Sequence, residues 1–181
     1  HLMSTLSVTT LQGLSTSPTP TKVEVASGHH LYAPGHIVQS VYAQDQYTYQ
    51  EVSTTSYVEV SSMNVSITPK STSSKIKISS QVSWWLTSDA NNYMFLTYYR
   101  DIGGAGYSNL ADDTTYDAMQ FYAPVKNATL NNAAHLCYID LPNTTSAVTY
   151  KLYCRKYDGT NNVRLKYAQT SSLILAEEIA Q

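Results

Sequence analysis

The chain has 181 residues, enough for one sandwich or barrel with a real core and short for two domains. Only 13% of residues are charged and the net charge is −2, with Lys and Arg scattered, so nucleic acid and anionic membranes are poor partners. No apolar run is long enough to cross a membrane as a helix, and no basic-then-apolar leader pattern is present.

Residues 1–34 differ from the rest. Residues 4–11 alternate like a short strand, and Lys22-Val23-Glu24-Val25-Ala26 does so again. Between them lies Ser15-Thr16-Ser17-Pro18-Thr19-Pro20-Thr21, which cannot form a helix and has no side chains to build a core. The segment carries too little apolar surface to fold alone, so it reads as either an extended segment or a partly disordered tail.

From Gly35 onward, strands recur. Met63, Val65 and Ile67 alternate with Asn64, Ser66 and Thr68, after a tight turn that follows Val60. Residues 75–84 alternate most clearly. Ile76, Ile78, Val82 and Trp84 are expected in the core, with Lys75, Lys77, Ser79, Gln81 and Ser83 facing water. In residues 92–100, Tyr93, Phe95 and Tyr99 share one face and Met94, Leu96 and Tyr98 the other. A strand apolar on both faces is buried on both faces, and in a thin sandwich the second cover is expected to be another subunit.

Residues 101–115, with Gly103-Gly104 and Asp112-Asp113, read as a long loop. Strands resume near residues 118–122, 135–141, 148–155, 163–167 and 172–179. Pro142-Asn143-Thr144-Thr145 and Asp158-Gly159-Thr160-Asn161-Asn162 have the composition of hairpin connections. The whole predicts an all-β, jelly-roll-like antiparallel sandwich over residues 35–181. The 16 Tyr against 2 Phe suit surfaces that are apolar at the ring and wet at the hydroxyl.

Candidate chemistry is sparse. His29, His30 and His36 lie close in sequence, but adjacent His29 and His30 point to opposite sides of an extended chain, so no metal is expected. Asp101, Asp112, Asp113 and Asp117 surround the Gly-rich loop without the spacing of a helix–loop–helix calcium site. No nucleophile elbow, zinc-protease helix or phosphate loop occurs, and nothing pairs two carboxylates, so neither catalysis nor a cofactor is expected. Trp84-Trp85 sends one indole into the core and one outward. Tyr42, Tyr47, Tyr49, Tyr107, Tyr116 and Tyr122 sit in or beside loops, where rings stack on sugars or pack in interfaces. Cys137 and Cys154 are expected to be free thiols, and neighbours if their strands pair.

Pro34-Gly35-His36-Ile37-Val38-Gln39, Thr54-Thr55-Ser56-Tyr57-Val58-Glu59-Val60 and the run from Val65 through Pro69 to Ile76 form a recognisable order. With the closing Leu173-Ile174-Leu175-Ala176-Glu177-Glu178-Ile179, it resembles the C-terminal domains of bacteriophage structural proteins, above all marine and cyanobacterial phage fibres and appendages. The resemblance implies a virion protein: tail fibre, capsid fibre or head decoration, assembled in the host cytoplasm as a homotrimer. Residues 1–34 would then be a shaft that attaches to other virion proteins, and residues 35–181 a head for host attachment. Tyr93, Phe95 and Tyr99 are expected at the trimer interface. Tyr107, Asn109, Asp112 and Asp113 on the longest loop are expected to meet a host-surface glycan or protein. The rival reading is a monomeric carbohydrate-binding module with an exposed aromatic platform.

Overall fold

Burial alternates residue by residue along most strands, and that alternation builds the molecule. The computed structural model describes residues 33–46, 48–87, 92–111, 119–123, 129–157, 162–166 and 171–181. Its strands are β1 (Ile37–Gln46), β2 (Gln50–Val52), β3 (Val58–Ile67), β4 (Lys75–Thr87), β5 (Asn92–Ile102) and β6 (Ser108–Asn109). They continue with β7 (Met119–Ala123), β8 (Thr129–Asp140), β9 (Val148–Lys156), β10 (Val163–Leu165) and β11 (Ser171–Ile179). No helix occurs among the described residues.

Two antiparallel sheets pack face to face. In sheet A, β8 pairs with β4 along residues 76–87, so it fills one edge of β4 throughout. β11 and β10 must therefore share the other edge, and β1 and β2 lie beyond them. In sheet B, β9 fills one edge of β5, β6 and β7 share the other, and β3 closes the far side of β9. Counting shared positions once, sheet A reads β1/β2, β10/β11, β4, β8, and sheet B reads β3, β9, β5, β6/β7. This interleaving of first with last strand, between two sheets, is the jelly roll. The expected sandwich is what forms, while residues 1–32 with His29 and His30 lie outside the described residues.

The core between the sheets comes from the faces read in the sequence. Ile76, Ile78 and Leu86 of β4 meet Met94, Leu96 and Tyr98 of β5 and Val148, Tyr150 and Leu152 of β9 in one buried cluster. Trp84 lies in that core against the Phe121 ring at 5.0 Å, whereas Trp85 points outward beneath the Arg164 guanidinium. Replacing Ile78 by Ala is expected to cost about 3 kcal/mol in urea unfolding, through lost burial and the cavity left behind. A loss below about half a kcal/mol would mean that the two faces of β4 are exchanged.

Four local expectations are corrected. The tight turn after Val60 is instead a bulge within one continuous β3. Glu59 and Asn64 face Tyr153 and Lys151, and Ser62 takes a φ of 62°. The stretch after Asp101 is not a plain loop: a turn at Gly103 and Gly104 returns the chain as β6 against Tyr99 and Arg100. Residues 142–145 make no hairpin, because β8 and β9 belong to opposite sheets, while residues 158–161 lie outside the described residues. For the same reason Cys137 and Cys154 are not strand partners. Cys137 is exposed on sheet A and Cys154 is buried in sheet B, where burial pushes its thiol pKa up.

Buried polar groups find partners both across the sandwich and within sheet A and its connections. The Tyr98 hydroxyl of sheet B donates to Ser80 Oγ at 2.7 Å and is 2.9 Å from the Leu136 carbonyl of sheet A. The Glu178 carboxylate, fully buried, accepts from Gln39 Nε2 at 2.6 Å and from the Lys70 backbone N–H at 2.7 Å. Each contact satisfies a group that would otherwise be stranded away from water.

Candidate functional site

The outer face of sheet B is built from aromatic rings and long cations. Even-numbered residues of β5 and β9 point into the core, so their odd-numbered residues point outward. Register then sets the neighbours. Phe95 lies between Arg155 of β9 and Gln120 of β7, Tyr93 faces Tyr122, Thr97 faces Tyr153, and Tyr99 lies between Lys151 and Asn109.

These neighbours touch. Tyr93 stacks on Tyr122 with centroids 4.5 Å apart, and Tyr99 on Tyr153 at 4.0 Å. The Arg155 guanidinium lies 4.3 Å over Phe95 and 5.1 Å from the Tyr57 ring centroid. Such ring pairs contribute about 0.5–1.5 kcal/mol each beyond their burial, and a cation over a ring about as much. The result is a stiff outer layer. Phe95 is 1% exposed within the single chain, so Arg155 and the rings around it supply cover that the sequence assigned to a second subunit.

At one end of this layer is a pocket, open to solvent and lined by Tyr93, Phe95, Gln120 and Tyr157. Tyr93 and Phe95 lie side by side with planes only 13° apart. The Tyr157 ring stands against them, edge-on to Tyr93 at 71° and tilted 58° to Phe95. A backbone bond from Tyr157 N–H to the Tyr93 carbonyl, 3.1 Å long, sets that wall in place. Gln120 is exposed on the opposite side, and its amide has no hydrogen-bond partner among the described residues.

At the other end, Tyr107 is 39% exposed, with Lys151 Nζ 4.5 Å from its ring centroid. Lys151 also pairs with Glu59 at 2.7 Å, and that hydrogen bond is the main reason its pKa is raised. Burial, followed by the Glu59 charge, raises the phenol pKa of Tyr153 beside them. Asn109 Oδ1 accepts from the Thr97 hydroxyl at 2.7 Å and from the Ala111 N–H at 3.0 Å, so its carbonyl pins β6 to β5. Tyr107 and Asn109 therefore sit on the same outer face as Tyr93, Phe95 and Tyr99. Asp112, Asp113, Tyr116 and Asp117 lie outside the described residues, as does Tyr47. Asp101 turns back to accept from the Gly106 N–H at 2.9 Å.

Sequence reasoning missed Gln120, Tyr153, Arg155 and Tyr157 as site residues. The last three share the outward parity of β9, and that aromatic alternation was the available signal. Among the described residues no group of three His, Cys, Asp or Glu is placed to hold a metal, and His36 is exposed near the start of β1.

No protein-family model matches the sequence, and no curated protein matches it. Among solved structures, the fold is similar to a chain of infectious bursal disease virus, Gx strain, at 9% identity and a TM-score of 0.34, over 88% of this chain and 42% of that one. It is also similar to a mutant VP2 protein of infectious bursal disease virus at 10% identity and a TM-score of 0.38, over 94% and 41%. A Gt-strain chain of the same virus aligns at 11% identity and a TM-score of 0.32, over 94% and 43%. The chain spans less than half the length of each. So distant a likeness carries no function across.

Proposed function

We propose that this chain is a structural virion protein of a bacteriophage, a fibre or appendage head assembled as a trimer, with no enzymatic activity. Residues 1–34 form its attachment segment and the jelly roll its host-facing head. The observation that carries the reading is the outer face of sheet B. It is a stiffened aromatic layer suited to packing and adhesion, set on the fold that the phage-like strand order implies. Tyr107, Asn109 and the Asp112-Asp113 pair form the receptor loop in this reading.

Light scattering on the full chain at about micromolar concentration tests the assembly. The expected mass is three times the 20.0 kDa of one chain. A monomer would favour the rival carbohydrate-binding module, for which Tyr122 at 42% and Tyr157 at 52% exposure already supply a platform. The receptor loop is tested separately. Changing Tyr107 and Asn109 together to Ala is expected to lower adsorption to host cells by about tenfold or more with the trimer intact. Full adsorption would move recognition elsewhere on the surface.

A further inference from the structure

We infer that the pocket bounded by Tyr93, Phe95, Gln120 and Tyr157 is a binding site for one neutral pyranose ring of a glycan. Three observations converge on that ligand. The exposed Tyr157 and half-buried Tyr93 rings give apolar surface over a floor made by the buried Phe95, and the C–H face of a sugar packs on such a surface. Tyr157 stands at a steep angle to Tyr93 and Phe95, so the ligand meets a corner rather than an open plane, and a compact ring fills it better than an extended chain. Gln120, on the far side, offers an amide with both a donor and an acceptor and no protein partner among the described residues. A hydroxyl rim both donates and accepts, and a purely apolar ligand would leave that amide unanswered.

Charge fixes the remaining choice. Among the described residues no ionisable acid or base lines the pocket apart from the tyrosine hydroxyls. Arg155 lies over Phe95 and beside Tyr57 and is engaged by those rings. A uronic or sialic acid would find no paired guanidinium fork here, so a neutral sugar is the fitting occupant. The site lies at the opposite end of the face from Tyr107 and Asn109, and it does not depend on the number of copies in the assembly.

The test is saturation-transfer NMR on the full chain with glucose, galactose, mannose, N-acetylglucosamine and glucuronate, each titrated to about 10 mM, a range that detects millimolar binding. Transfer to the C–H protons of at least one neutral sugar is expected. Gln120→Leu, which keeps the volume and removes the amide, and Tyr157→Ala, which removes one wall, are each expected to weaken binding about tenfold, the first without shifting the melting temperature and the second with the fold retained by circular dichroism. Tyr42→Ala, exposed on β1 of sheet A, is expected to leave it unchanged. Silence from every neutral sugar would overturn the inference, as would a preference for glucuronate or undiminished binding in both pocket variants. Mass is read on the same samples. A monomer that binds sugar would sink the trimeric fibre and keep this site, whereas a trimer with no transfer would do the reverse.

Discussion

Replacing Asp45 by Ala is expected to destabilise the sandwich by about 3–5 kcal/mol, because it strands a buried ammonium. The side chain of Lys166 is 0% exposed, and its Nζ donates to Asp45 Oδ2 at 2.7 Å and to the Ser61 carbonyl at 2.6 Å. That carbonyl belongs to the β3 bulge, so the lysine fills the gap that the extra residues open. Its own backbone is fixed as well, with a φ of 57° and its N–H on the Ser83 carbonyl at 2.7 Å. Without Asp45 the cation keeps one carbonyl and no counter-charge. Urea unfolding followed by tryptophan fluorescence measures the loss. The double variant Asp45→Ala with Lys166→Met removes both charges and is expected to recover most of it. A single-variant loss below about 1 kcal/mol would mean that water reaches the ammonium.

The same pair sets an acid limit. Burial alone would raise the Asp45 pKa, but hydrogen bonds from Lys166, Thr48 and the Gln46 backbone, with the Lys166 charge, outweigh it and hold the carboxyl below its ordinary 3.8. A group depressed in the folded state contributes stability above its unfolded pKa and loses it as pH falls through the folded one. The contribution is therefore expected to be complete above about pH 4 and to fade below it, and the fade should be absent from Asp45→Ala.

How far this was legible in the sequence depends on where each residue's structure is decided. Ile76, Ile78, Val82 and Trp84 announced the inner face of β4 because period-two burial is written into the strand itself. The first half of β8 was not legible. Thr129-Leu130-Asn131-Asn132-Ala133 has no apolar alternation, and it becomes a strand by pairing with residues 83–87 of β4. The β3 bulge read as a turn since Ser61 and Ser62 are polar, and what straightens the chain there is Lys166, some hundred residues away, and Gln50 Oε1 on the Ser61 N–H. The aromatic face was half legible. Tyr93 and Phe95 stood out on β5, but the residues that cover them come from β7 and β9, and only register brings Gln120 and Arg155 to either side of Phe95.

Asp140→Ala is expected to cost about 3–5 kcal/mol by opening a clasp between the sheets. Asp140, at the end of β8 in sheet A, accepts from Arg100 Nη1 of β5 and from the Tyr150 hydroxyl of β9, both at 2.7 Å. Those two donors belong to sheet B, and one carboxylate satisfies both. Tyr150 is fully buried, so its hydroxyl would have no water to turn to, while Arg100 is partly open and would recover some solvation. Asp140→Asn keeps one acceptor oxygen and should lose about half as much. The clasp also predicts an alkaline limit. Burial, then the hydrogen bond to Asp140 and its charge, push the Tyr150 phenol far above its ordinary 10.0. The folded state therefore holds a proton that the unfolded state releases, so stability is complete below about pH 10 and falls as pH rises above it. Tyr98, raised by burial beneath sheet A, adds to the same slope. Unfolding midpoints measured from about pH 8 to 11 should drop steadily above pH 10, and less steeply in Tyr150→Phe, which has no proton to lose. A flat profile in the parent protein would mean that Tyr150 ionises in place and that the clasp is open to solvent.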